Sequence, residues 1–212
     1  KGRDSFFTPP HNFIYGAILA VLFTSLYGLW RDHRLTPLHL RLGNYRFHAG
    51  TLIVSVAASV ILLFAPLDEL WHRLFGADVT LWAPMHLIGL VGLLMANFGG
   101  LVSSWLEHHL ANRKERKRRF TLLTLFFSAT LLTFMTLLLA EYAFNVAAYP
   151  LILDPLLLAS LSSFVLVLIA RLMPQPWSAT ITTLLFTLIR FAVALWLMTT
   201  ASFDLAGETR PF

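Results

Sequence analysis

GTLIVSVAASVILLFAP, residues 50–66, runs for seventeen positions without a charge and then turns into Leu67-Asp68-Glu69-Leu70-Trp71-His72. An uncharged apolar run of that length approaches the roughly 20 residues an α-helix needs to cross a bilayer. Five more such stretches lie near 12–30, 82–106, 120–142, 150–170 and 179–201, and the run at 50–66 can continue through 67–75. Hydrophobic residues make up 57% of the 212-residue chain and charged residues 13%, where a soluble domain would carry nearer a quarter charged. The reading is an all-α, polytopic membrane bundle of about six transmembrane helices, a single integral membrane domain over residues 1–212.

Loop charges orient the helices, because basic residues are retained on the cytoplasmic side. Arg31, Arg34, Arg41 and Arg46 fall in the first loop, six cations from Arg113 to Arg119 in the third, and Arg171 in the fifth. Lys1, Arg3, Arg73 and Arg210 are the only counterparts on the alternate side, so the bias is eleven to four. Both termini, and with them Asp68, His72 and His86, are expected on the extracytoplasmic side of a bacterial or archaeal cytoplasmic membrane. Wedged between two spans, the 113–119 run is a topology determinant with anionic lipid beside it and no nucleic acid. The absence of cysteine excludes disulfides, thiolate ligands and iron–sulfur clusters. The chain opens at Lys1 with no initiator Met and is read as a fragment of a longer protein.

Asp68 and His72 are four residues apart and share one face of a helical turn. Thirteen residues later His86, after Pro84 and Met85, opens the next apolar stretch. Two imidazoles and a carboxylate suit copper, zinc or iron, and leave a coordination position open. A repeat strengthens the pattern. Gly2, Asp4, Phe6-Phe7, Pro9 and His11 correspond, with one residue inserted, to Gly76, Asp78, Leu81-Trp82, Pro84 and His86. A proline two residues before the histidine suits the first turn of a helix, where its missing N–H is not needed. Asp4 and Asp78, and Tyr15 one turn after His11, are candidates to hold a ligand imidazole through its other nitrogen. The spans that follow carry small residues every four positions, Gly16, Ala20, Thr24 and Gly28 in one, Gly92, Ala96, Gly100 and Ser104 in the other. Such stripes read as helix-packing grooves.

At these residues the chain resembles the C subunit of the copper membrane monooxygenases, the family of particulate methane and ammonia monooxygenases. Phe7-Thr8-Pro9-Pro10-His11 and Tyr15-Gly16 match one family segment, and Asp68, His72 and Ala83-Pro84-Met85-His86 match a second. The resemblance implies His11 as part of one metal site, whose other ligands would precede Lys1, and Asp68, His72 and His86 as another. Asp68 stands where the family has Asn. The likeness covers about residues 4–106, a metal-site half, whereas the three-helix half at 120–201 departs from it. It implies copper, oxygen as co-substrate, a small apolar substrate and companion membrane subunits. The competing expectation is a non-catalytic accessory subunit of a larger membrane complex; transport ranks last.

The remaining polar residues have plainer readings. Arg190, inside the sixth span, is expected to form a structural ion pair with Asp154 or Glu141. Asn97 is expected to bond a neighbouring helix. His33, His39, His48, His108 and His109 read as solvated or headgroup-facing. Trp30, Trp71, Trp82, Trp105 and Trp177 read as an aromatic belt.

Overall fold

The computed structural model describes residues 9–31, 39–42, 45–76, 82–139, 153–173 and 175–207. Six helices carry the fold: α1 Pro9–Arg31, α2 Ala49–Phe75, α3 Pro84–Leu110, α4 Lys114–Leu138, α5 Leu153–Leu172 and α6 Ser178–Gly207. All six are long and apolar enough to cross a membrane. The chain is an integral membrane protein. Large side chains such as Phe23, Phe164, Leu188 and Phe191 point out of the bundle, where hydrocarbon takes the place of water.

The apolar run at 50–66 does not stop at Pro66. It continues as one helix to Phe75, since a membrane helix tolerates the single backbone bond that proline withdraws. At 1.5 Å per residue, 27 residues span about 40 Å, against a hydrocarbon core of about 30 Å. The last turns of α2 and the first turns of its antiparallel neighbour α3 therefore emerge together at one end of the bundle.

The two helices are held in register by backbone approach at their opposite ends. A side chain on Gly50 would overlap Ser103 and the Gly99 carbonyl, and one on Gly99 would overlap the α2 backbone at Gly50 and Val54. Further along, Gly92 receives Ile61. The stripe on α3 is thus a packing groove, with Gly100 against Phe127 and Ser104 accepting from Thr124 of α4 at 3.2 Å. The equivalent stripe on α1 is not. Gly16 has nothing within 4 Å, and Ala20 and Thr24 are exposed. Only Gly28 at its end reaches α2, through Thr51.

α1 instead packs through Ile18 onto Ala58 and Ile61, and Ser55 donates to Ser25 at 2.9 Å. On the other flank Leu101, Leu131, Leu132 and Val165 join α3, α4 and α5, and Leu125, Ile169 and Met173 carry the packing toward α6. Asn97 accepts from Thr130 of α4 at 2.7 Å, the expected interhelical bond.

Three local expectations need correction. The basic run is not a loop: Lys114 to Arg119 form the opening turns of α4. Cations at a helix N-terminus oppose the helix dipole, so their place there reflects the membrane surface rather than helix stability. The first loop contains an antiparallel hairpin, β1 His39–Leu42 and β2 Tyr45–His48. His48 and His108 are buried, not solvated. The His48 ring caps α2 by accepting from the Thr51 N–H at 3.3 Å, and His108 lies 3.0 Å from the Thr121 hydroxyl.

Candidate metal centre

Asp68 and His72 occupy the last two turns of α2, and His86 the first turn of α3. Pro84 opens α3, as Pro9 opens α1 ahead of His11. Each Pro-x-His element thus sets its histidine in a first turn. The indole of Trp82, just before α3, donates to the Leu138 carbonyl at 2.7 Å. That bond satisfies a carbonyl at the α4 C-terminus and pins the segment leading to His86. Trp105 likewise donates to Leu172 at 3.1 Å. These two tryptophans stitch helix ends together and are more than a belt; Trp30 and Trp177 stay exposed.

The three side chains converge. His72 Nε2 lies 3.5 Å from Asp68 Oδ2, and His86 Nε2 lies 3.6 Å from Asp68 Oδ1. Each of the three residues offers one ligand atom, and those atoms lie within 4.8 Å of one another. Among the described residues this is the one group of three or more such side chains that could hold a metal ion. Both distances exceed the hydrogen-bond range. They are close to the separation, about 3.3–3.5 Å, that a tetrahedral ion 2.0–2.1 Å from each ligand imposes.

The hydrogen bonds around the site agree with an ion. Asp68 Oδ1 and His86 Nδ1 are buried without a partner, which is costly in a bundle where buried polar atoms are normally paired. With its proton on Nδ1, His72 donates to the Gly76 carbonyl oxygen at 3.3 Å. The Nε2 lone pair then faces Asp68, the usual way an outer carbonyl orients a ligand imidazole. Gly76 makes this possible: its φ of 92° and ψ of 177° belong to a region open essentially to glycine alone. Its N–H meanwhile closes α2 on the His72 carbonyl at 3.0 Å. The neighbouring carboxylate, Glu69, is taken by Arg73 at 2.8 Å.

The other expected site residues divide. His11 stays outside the ligand group. Its Nδ1 is buried without a partner, and its ring stacks on Tyr15 with centroids 6.0 Å apart. Tyr15 lies within electrostatic range of Asp68 and Glu69, so the start of α1 approaches the centre. Asp4, Asp78 and Glu141 lie outside the described residues, as does the Asp154 side chain. Arg190 donates to Thr136 of α4 at 3.0 Å and lies 5.8 Å over the Phe186 ring. Thr136 is in the last turn of α4, where the helix dipole favours a cation. Sequence reasoning missed Gly76 and Trp82 as supports, because neither is a ligand type.

An apolar groove of about 540 Å³ runs between α2 and α3, with Val56, Val60, Leu87, Val91 and Met95 in its walls. At 100° per residue, its α3 residues lie roughly 150° around the helix from His86 and Leu93. The groove and the ligand group therefore open on different sides of the α2–α3 pair. Compared with known proteins, the chain matches no family model, no curated protein and no solved structure.

Proposed function

We propose that this chain is a metal-binding integral membrane subunit, with copper at Asp68, His72 and His86 on the extracytoplasmic face, akin to the C subunit of a copper membrane monooxygenase. The observation that carries the reading is the convergence of three ligand atoms within 4.8 Å from two helices. Buried, unpartnered Asp68 Oδ1 supports it. Copper bound there supplies one-electron redox chemistry toward oxygen. The chain's own contribution is to hold and orient. Asp68 sits between the two imidazoles and lowers the charge of a bound cation. The Gly76 carbonyl sets the tautomer and direction of His72, and Trp82 anchors the turn that carries His86. Side-chain exposures of 22–31% leave the centre reachable from its end of the bundle.

A second reading, a non-catalytic subunit that carries metal for a partner complex, is favoured by the groove. The apolar cavity suited to a small apolar substrate opens away from His86, so that cavity does not lead such a substrate to the metal.

Elemental analysis of the purified protein beside His72→Ala and His86→Ala tests the assignment. One copper per chain, lost in both variants, supports the centre; oxygen uptake that depends on copper then separates the catalytic reading from the carrier reading. Zinc in the same place removes the redox role. A folded protein that takes up no metal from excess copper or zinc ends the proposal.

A further inference from the structure

At the opposite end of the bundle a second cavity, about 310 Å³, opens among α1, α2, α3 and α4. Thr24 and Thr51 give it hydroxyls, and Phe120, Leu123 and Phe127 give it an apolar wall. The Ser103 hydroxyl is buried against Gly50 of α2 and does not open on the cavity. Arg116 stands at the mouth. Its guanidinium reaches Glu107, a wall residue, at 2.6 Å and lies 5.6 Å over the ring of Phe120, another wall residue.

Arg116, Phe120, Leu123 and Phe127 follow one face of α4 at helical spacing. Arg119, one turn before Leu123, flanks that face and is exposed. Glu107 occupies Arg116, which leaves the charge of Arg119 uncompensated beside the cavity. Between residues 107 and 119 six cations face two carboxylates, Glu107 and Glu115. The cavity is built from the first turns of α2, the opening part of α4 and the closing turns of α1 and α3. It therefore lies where headgroups give way to acyl chains.

We infer that this cavity binds one anionic phospholipid. Arg119, the uncompensated cation, takes the phosphate, Arg116 stays held beside it by Glu107, and an acyl chain lies along Phe120, Leu123 and Phe127. Basic pockets between membrane helices suit such headgroups, and this one adds an apolar wall at matching depth. The inference is independent of the metal centre.

Native mass spectrometry of the full chain in mild detergent, after addition of phosphatidylglycerol or phosphatidylcholine, tests it. One phosphatidylglycerol per chain is expected, held about tenfold or more tightly than phosphatidylcholine. The double variant Arg116→Gln with Arg119→Gln should lose it by about tenfold or more. Thr24→Trp should also lose it, by filling the cavity with every cation intact. Thr24 is exposed and its hydroxyl bonds only its own helix, so this change leaves the bundle in place. Lys114→Gln with Arg118→Gln, on the far face of α4, should retain the lipid. Equal losses in the two double variants with no effect of Thr24→Trp would show diffuse attraction to a charged surface and overturn the site. Displacement of the lipid by millimolar inorganic phosphate would overturn it in favour of a free anion.

Discussion

The two ends of the α2–α3 pair are built from similar helices and treat polar atoms differently. At the Gly50–Gly99 end, most hydroxyls settle locally: Ser55 bonds Ser25, Thr124 bonds Ser104, and the His48 ring caps α2. At the Asp68 end, Asp68 Oδ1 is buried without a hydrogen bond, and His72 and His86 each bring Nε2 to within 3.6 Å of the Asp68 carboxylate. Both ends are rich in polar residues. Each end leaves a buried polar atom unpartnered, Ser103 Oγ at one and Asp68 Oδ1 at the other. What separates them is convergence, since only the Asp68 end gathers three possible ligand side chains among the described residues.

The largest expected effect breaks that contrast outright. His72→Ala together with His86→Ala leaves Asp68 as the sole ligand, and metal affinity measured by competition with a chelator should fall by more than about 100-fold. Losing an outer-shell partner alone costs 10–100-fold. Thermal stability without metal should change little, because two partly exposed rings are lost. A comparable loss of metal from His109→Ala, at an exposed histidine outside the group, would undo the assignment.

Gly50→Val attacks the other end. The new side chain overlaps the α3 backbone, so melting in detergent should show a loss of about 1–3 kcal/mol. If the α2–α3 pair is stiff, metal affinity at the far end falls as well; unchanged affinity would show that the two ends are uncoupled.

Gly76→Ala tests the support of His72 without touching a ligand. Strain in a backbone region closed to alanine costs about 1–3 kcal/mol locally, and misplacing the carbonyl should weaken metal about tenfold. Wild-type affinity in this variant would mean that His72 needs no outer partner. Trp82→Phe, which loses one bond to Leu138, is the smallest change: about 0.5–1.5 kcal/mol of stability and a minor effect on metal. Acidification should release the metal from every variant that binds it, since a coordinating imidazole must be neutral; retention at pH 4 would speak against histidine ligands.

The spans and the ligand group were legible because each rests on short-range periodicity. Apolar runs near 20 residues read as helices, Asp68 and His72 are one turn apart, and a Pro-x-His element sets His86 in a first turn. What periodicity does not encode is which face meets which helix. The four-residue stripes on α1 and α3 look alike in sequence, yet the one on α3 packs and most of the one on α1 faces outward. The close backbone approach at Gly50 and Gly99 involves two glycines that belong to neither stripe. The hairpin left a trace in its alternation of apolar and polar residues on either side of Gly43-Asn44, overlooked because the loop was read for charge alone. His48 and His108 followed the same error: a histidine near a membrane surface reads as solvated until a cap or a neighbouring hydroxyl is found for it.

The position of the ligands along the chain has a consequence for biogenesis. All three lie between residues 68 and 86, on consecutive helices, so bringing them together closes only a short loop and costs little chain entropy. Synthesis proceeds from the N-terminus, and the set is complete once α3 has been made, while α4 to α6 are still to come. Trp82 can find the Leu138 carbonyl only later. Under the proposed metal reading, loading of an ion and locking of its cradle are therefore separable events, the first available to a nascent helical hairpin and the second awaiting the fourth helix.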